Sequence, residues 1–145
     1  GHLYRKAKEL GCNKIALGHH YDDVIETTLM SMLYGAQART MLPVIKSDNI
    51  EGMKLIRPMY LIREDDINLW KNRNNLNFVK CACRLNTKDG GEDTTRLRIK
   101  KLIRDLTNEN PAVPANIFGS MSGIDLEHVL SYKIDGVTHS ILDDM

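Results

Sequence analysis

Residues Ile15 to Asp23 read IALGHHYDD, so a short apolar run is followed at once by a glycine, two histidines, a tyrosine and two acids. Those types suit a phosphate or metal site. His19 and His20 can donate hydrogen bonds to phosphate oxygens or to the edge of an adenine ring. Gly18 lets the chain turn sharply and lets a ligand come close. Asp22 and Asp23 stand at the start of the next periodic segment, where a carboxylate caps a helix and complements its dipole. They are also suited to Mg²⁺, which takes one or two carboxylates and leaves its other positions to water and phosphate. Glu26 and Thr27 lie one turn further on, towards the same edge. A polar turn between a strand and a helix is the competing account. Capping explains one acid; it does not explain two acids beside two histidines.

Two other groups of residues carry possible chemistry. Cys81 and Cys83 are separated by one residue in a segment read as extended, so both point to one face. They could reach one metal, but C-x-C is not the usual zinc spacing, and the chain has no second pair. Buried, reduced thiols are the alternative. Cys12 reads as a small packing residue. Further on, Arg96, Lys100 and Arg104 recur at four-residue spacing, with Arg98 and Lys101 nearby. Such a helix face is either solvated or a surface that tracks RNA phosphates. DGGED at 89–93 lacks the preceding strand and the Lys or Ser of a phosphate loop, and reads as a turn.

The elements that must position these residues follow from periodicity. Leu3 to Leu10 forms a helix stopped by Gly11, and NKIALG forms a short buried strand. From Asp22, the residues Ile25, Leu29, Met32 and Leu33 recur at helical spacing up to Gly35. The result is strand, loop and helix, with the candidate site at the strand's carboxyl end, the usual ligand edge of an α/β sheet. Residues 36–53 are looser. MKLIRPM predicts a second strand, and Arg63 to Asn74 a helix with Ile67 and Trp70 turned inward. NFVKCAC reads as extended and residues 85–93 as a flexible loop. Thr94 to Leu106 is an amphipathic helix with an apolar stripe of Ile99, Leu102, Ile103 and Leu106. PAVPANIFGSM continues the helical pattern before a polar end. No internal repeat appears.

Composition sets outer bounds. The 145 residues suit one core, and 42% hydrophobic with 27% charged residues is ordinary for a globular protein. A net charge of +1 names no partner, so any nucleic-acid contact must come from a local patch. No apolar run is long enough for a membrane span, and no secretory pattern is present. Three cysteines without framework spacing favour a reducing, cytoplasmic setting.

LGHHYDDVIETTLMSMLYG resembles the second signature of the PP-loop ATP-pyrophosphatases, and within them the tRNA 2-thiocytidine synthetases. LYRKAKELGCNKIALGHH before it, MKLIRPMYLIREDDI after it, the CAC segment and RLRIKKLIRDL extend the resemblance over most of the chain. It implies an α/β fold: part of a Rossmann-like, adenine-nucleotide alpha-hydrolase-like parallel sheet with helices. Residues 1–80 would be the C-terminal part of that domain, and residues 81–145 a cysteine segment with a mainly helical extension. It further implies that Gly18, His19, His20, Asp22 and Asp23, with Glu26 and Thr27, line an ATP pocket. Asp22 and Asp23 would be its catalytic acids, holding Mg²⁺ and orienting phosphates. Cys81 or Cys83 would be one ligand of a [4Fe–4S] cluster; relatives often show C-x-x-C there, which leaves the choice between them open. The implied reaction adenylates a cytidine in the tRNA anticodon loop and replaces its oxygen with sulfur supplied by a donor such as a cysteine desulfurase. Arg96, Lys100 and Arg104 are the expected tRNA contacts.

The SGGxDS phosphate loop of that family and its upstream C-x-x-C pair are missing from these residues. The expectation is therefore the C-terminal portion of such an enzyme. Missing strands would expose sheet edges and apolar surface that a homodimer or a swapped arrangement would cover. A lysidine synthetase shares HHxDDxxET but uses no cluster, so the cysteine segment speaks against it. A metal-dependent phosphohydrolase would need further ligands, for which only His2, His128 and His139 remain. A non-catalytic RNA- or protein-binding module is the third alternative. On its own, this chain is expected neither to thiolate tRNA nor to hold a stable cluster; a brown cluster spectrum after anaerobic reconstitution would contradict that.

Overall fold

A computed structural model describes residues 2–47, 50–77 and 94–144. The expected extended NFVKCAC piece, the 85–93 loop, Cys81 and Cys83 lie outside the described residues.

Helix α1 (His2–Glu9) ends as anticipated. Gly11 adopts a left-handed φ of 70°, and the Cys12 amide returns to the Ala7 carbonyl at 2.9 Å. Strand β1 (Lys14–Ala16) follows, with Ile15 buried. Helix α2 (Tyr21–Gly35) starts after an extended His20, whose amide donates to Asp23 Oδ2 at 2.9 Å. Its left-handed end residue is Ala36 (φ 50°), one position beyond the glycine read as the stop; the Ala36 amide returns to the Ser31 carbonyl.

Strand β2 (Val44–Lys46) lies within the stretch read as loose, and β3 (Lys54–Ile56) is the predicted second strand. The sheet order is β1-β3-β2. β1 and β3 are parallel, with Ile15 opposite Leu55, whereas β2 runs antiparallel to β3, with Ile45 opposite Leu55. The expected parallel sheet is thus a mixed one with an antiparallel edge. Three-residue strands carry too little alternation to announce themselves by period. The carboxyl ends of β1 and β3 point the same way, which sets Gly18–His20 beside Arg57.

Helix α3 (Glu64–Arg73) buries no residue: Ile67 is half-buried and Trp70 is 58% exposed, so the inward placement expected for Trp70 does not hold. Helix α4 (Thr94–Glu109) and helix α5 (Val113–Gly119), the latter foreshadowed by PAVPANIFGSM, pack on α2 and on each other. Ile25, Ile99 and Ile103 form the cluster they share, joined by Tyr21, Leu29, Met30, Ile117 and Phe118. Tyr21 stacks on Phe118 at 4.5 Å and donates its hydroxyl to the Pro114 carbonyl. Of the predicted α4 stripe, Ile99 and Ile103 are buried, Leu106 is half-buried and Leu102 is 38% exposed.

The polar end is not simply a continuation of helix. After a 3₁₀ turn (Leu126–His128), β4 (Ser131–Ile134) and β5 (Val137–Ser140) form an antiparallel hairpin, and a second 3₁₀ turn (Ile141–Asp144) follows. Asp135 (φ 49°) and Gly136 (φ 84°) both take left-handed geometry, which a two-residue hairpin turn of matching twist requires.

Ile25 is fully buried at the meeting of α2 and α4, whereas Leu33 on the same helix is 59% exposed. Ile25→Ala is therefore expected to lower unfolding stability by about 2–5 kcal/mol. Leu33→Ala should cost about 0.5 kcal/mol or less, with both read from urea unfolding curves.

Candidate functional site

The site is built where β1 and β3 end and α2 begins. The Leu17 amide pairs with the Ile56 carbonyl at 2.9 Å, and the Arg57 amide with the Pro43 carbonyl at 2.9 Å, so both strand ends are held rigidly. Gly18 then leads into the helix without a left-handed φ; an added Cβ would meet only the Met59 methyl, at 3.7 Å. The fold itself therefore does not demand glycine here, contrary to the sharp-turn reading. Close approach of a ligand is what remains to favour it.

His19 is half-buried, and its Nδ1 accepts from Arg57 Nε at 3.3 Å. That bond places the ring proton on Nε2. Burial holds the imidazole below its ordinary value of 6.5; Asp23 opposes this, while Arg57, Arg96 and His20 reinforce it. His19 is thus a neutral ring at physiological pH with one N–H to offer. Arg57 also donates to the Leu42 carbonyl, which ties the turn before β2 to this edge. Sequence reasoning missed Arg57, although its place inside the predicted strand segment MKLIRPM, just before Pro58, was available as a signal. His20 Nδ1 is buried without a hydrogen-bond partner, 4.0 Å from Asp22 Oδ2, and its Nε2 lies 3.4 Å from Asp23 Oδ2.

The acids reach away from the helix start towards two other helices. Asp22 accepts Arg63 Nε at 3.2 Å on both oxygens and the Glu64 amide at 2.7 Å. It thereby caps α3 from across the fold. Arg63 in turn lies 5.2 Å from the centre of the Tyr21 ring. Asp23 accepts the His20 amide on one oxygen and Arg96 on the other. Arg96 Nε also donates to Glu26 Oε2 at 2.9 Å, and Glu26 is only 4% exposed. Burial pushes the Glu26 carboxyl above its ordinary 4.5, with Arg96 pulling it back only in part. Thr27 is half-buried on α2, whereas the neighbouring Thr28 is fully buried and bonds the Val24 carbonyl and the Thr40 hydroxyl.

The basic helix is therefore divided. Arg96 meets Asp23 and Glu26, and Lys100 donates to Glu64. Burial depresses the Lys100 ammonium, but its hydrogen bond to Glu64 and the attraction of Glu64 outweigh that and raise it. Arg104 is exposed on the rim of a cleft of about 200 Å³ between α2, α3 and α4, which Asp22, Glu26, Arg63, Glu64 and Lys100 also line.

The donor set is a poor match for Mg²⁺. Both oxygens of Asp22 and both of Asp23 already face donors, chiefly the Arg63 and Arg96 guanidiniums. A cation added there would sit against two fixed positive charges. Among the described residues, no group of three or more His, Cys, Asp or Glu is arranged to hold a metal ion.

Parallel strands that end beside a helix start, with histidines on the intervening turn and acids in the first turn of the helix, define an α/β domain whose candidate ligand edge lies at the switch from β1 to α2. Residues 2–107 match the family model of the PP-loop domain, and the chain belongs to that family. It is 41% identical over 130 residues to tRNA-cytidine(32) 2-sulfurtransferase 1 of Francisella philomiragia, covering 90% of this chain and 49% of that protein. It is 40% identical over 134 residues to the tRNA-cytidine(32) 2-sulfurtransferase of Coxiella burnetii, covering 92% and 50%. The chain thus spans about half the length of the curated relatives it matches. Its fold is like that of the U34-tRNA thiolase NcsA from Methanococcus maripaludis, whose structure holds a [4Fe-4S] cluster. The TM-score is 0.60 at 22% identity, over 85% of this chain and 41% of that one. The α/β architecture expected from the sequence is thereby established.

Because burial raises Glu26, the folded state binds its proton more readily than the unfolded state does. The wild type therefore loses stability as pH climbs from the ordinary 4.5 through the raised folded value. Glu26→Gln removes that loss. Its melting temperature relative to wild type is expected to increase between about pH 4 and about pH 7, as followed by circular dichroism.

Proposed function

We propose that this chain forms the histidine-and-acid side of the ATP site in an ATP-dependent tRNA sulfurtransferase that thiolates a cytidine of the anticodon loop. The observation that carries this reading is the 41% identity to a tRNA-cytidine(32) 2-sulfurtransferase across nine-tenths of the chain, with GHHYDD seated at the ligand edge of the sheet.

The chain's own groups suit nucleotide binding. His19 offers Nε2–H from a ring fixed by Arg57, and a neutral donor beside a phosphate or an adenine edge requires no proton loss on binding. The dipole of α2 favours negative charge at the same place. Gly18 admits close approach. Asp22, Asp23 and Glu26 fix the start of α2 instead of meeting phosphates directly. No protein ligand for magnesium is assigned among the described residues.

In the reaction, the C2 oxygen of cytidine attacks the α-phosphorus and pyrophosphate departs; a sulfide then attacks C2 and AMP leaves. The residues named here bind and orient ATP so that charge developing on the departing pyrophosphate meets fixed donors. A [4Fe–4S] cluster held in part by Cys81 or Cys83 would supply the sulfide, which originates from a donor such as a cysteine desulfurase. Arg104, with the exposed Arg98 and Lys101, remains available to tRNA phosphates. A presented, unstacked base is the form in which an RNA loop offers its cytidine. The setting is the cytoplasm, and no helix among the described residues is long and apolar enough to cross a membrane.

The test uses the complete gene product with ATP, tRNA and a sulfide source, reading pyrophosphate release and 2-thiocytidine by mass spectrometry. ATP-dependent 2-thiocytidine is expected. Loss of the His19 donor in His19→Ala should raise KM for ATP about 10- to 100-fold, as for one hydrogen bond to a charged group. Lysine incorporated in place of sulfur, or no use of ATP, would overturn the reading.

A further inference from the structure

We infer that Arg96 is a positioning residue of the nucleotide site: by bridging Asp23 and Glu26 it holds the first turn of α2 in the geometry that receives ATP. This rests on the nucleotide reading proposed above.

The connection is short and continuous. Arg96 donates to one oxygen of Asp23, and the other oxygen of Asp23 accepts the His20 amide at 2.9 Å, which is the peptide that starts α2. The same guanidinium donates through Nε to Glu26, one turn along the helix. Asp23 and Glu26 are like charges on one face, and Glu26 is buried; without a cation between them they repel, and Glu26 is left as a buried, unpaired charge. A planar fork with several donors serves both carboxylates at once, which a lysine point charge does less well.

Arg96 is also firmly placed. One turn further on, Ile99 is 1% exposed in the cluster shared with Ile25. Lys100 is tied to Glu64, whose amide is in turn capped by Asp22. The side of α4 facing α2 and α3 therefore spends its cations on acids of the site, while Arg98, Lys101 and Arg104 face solvent. Release of Asp23 would free the His20 amide and let the His19–His20 turn drift from the strand edge.

The experiment compares wild type, Arg96→Gln and Arg96→Lys in the complete gene product, measuring ATP KM, kcat and tRNA affinity with its salt dependence. Because Arg96→Gln strands Glu26, the comparison is repeated as Arg96→Gln/Glu26→Gln against Glu26→Gln alone, with melting curves to confirm folding. For Arg96→Gln, the ATP KM is expected to rise about 10- to 100-fold, with kcat changing less, tRNA affinity unaltered and partial recovery in Arg96→Lys. ATP affinity equal in the double variant and in Glu26→Gln would overturn the inference. So would a loss of tRNA affinity and salt slope with ATP binding intact, which would make Arg96 an RNA contact. If the wild type binds no ATP, the nucleotide reading falls and this inference with it; if wild type binds ATP and the variants match it, only the inference falls.

Discussion

The arrangement depends on where the carboxylates at the start of α2 find their positive charge. Asp22 takes Arg63 and the first amide of α3; Asp23 and Glu26 take Arg96 of α4. One turn of helix thus fixes the ends of two others. Each acid has a separate mechanical result: Asp22 sets where α3 begins, Asp23 sets where α2 begins, and Glu26 draws α4 against α2. None of these results needs a ligand.

Ion pairs of this kind matter more for geometry than for net stability. The buried hydrophobic residues among those described are Ile15, Val24, Ile25, Met53, Ile99 and Ile103, while large side chains such as Leu61, Trp70 and Leu130 remain more than half exposed. With a core this small, apolar contact alone does not fix the register of the helices. Desolvating a carboxylate and a guanidinium costs much of what their attraction returns, and burial accordingly pushes the Glu26 carboxyl up despite Arg96. What the pairs add is direction. Arg96 meets both acids only when α4 lies at one height along α2, whereas isoleucines would tolerate neighbouring heights.

The sequence was informative where signals are local. The helical period from Ile25 onwards, Gly11 after α1 and the apolar stripe of α4 each describe one segment and its immediate neighbours, and the elements formed accordingly. GHHYDD could be placed at a strand's carboxyl edge for the same reason. Two local signals went unread: Asp135-Gly136 between apolar residues marks a hairpin, and Arg57 stands at the carboxyl end of a predicted strand segment, just before Pro58. The rest was not local. Trp70 sits at a helical spacing that suits a core, but α3 buries no residue. Four-residue spacing on α4 describes a face without saying what the face meets. Arg96, Lys100 and Arg104 have equal standing in sequence, yet the structure gives two of them acidic partners on other elements and leaves the third on an open rim.

That division bears on how the two sides of α2's first turn share their work. Towards the strand edge lie His19, with its proton on Nε2, and Arg57 behind it, beside the positive end of the α2 dipole. Towards the helices lie the acids, each already satisfied. A phosphate approaching from the strand edge meets the donors and the positive end of the dipole, while the carboxylates that would repel it are turned away and neutralised by arginine. Two adjacent acids beside a phosphate site look contradictory if their charge is taken to face the ligand. Under the proposed nucleotide reading they cease to be so, because their charge is spent on Arg63 and Arg96 and the acids hold the donors still.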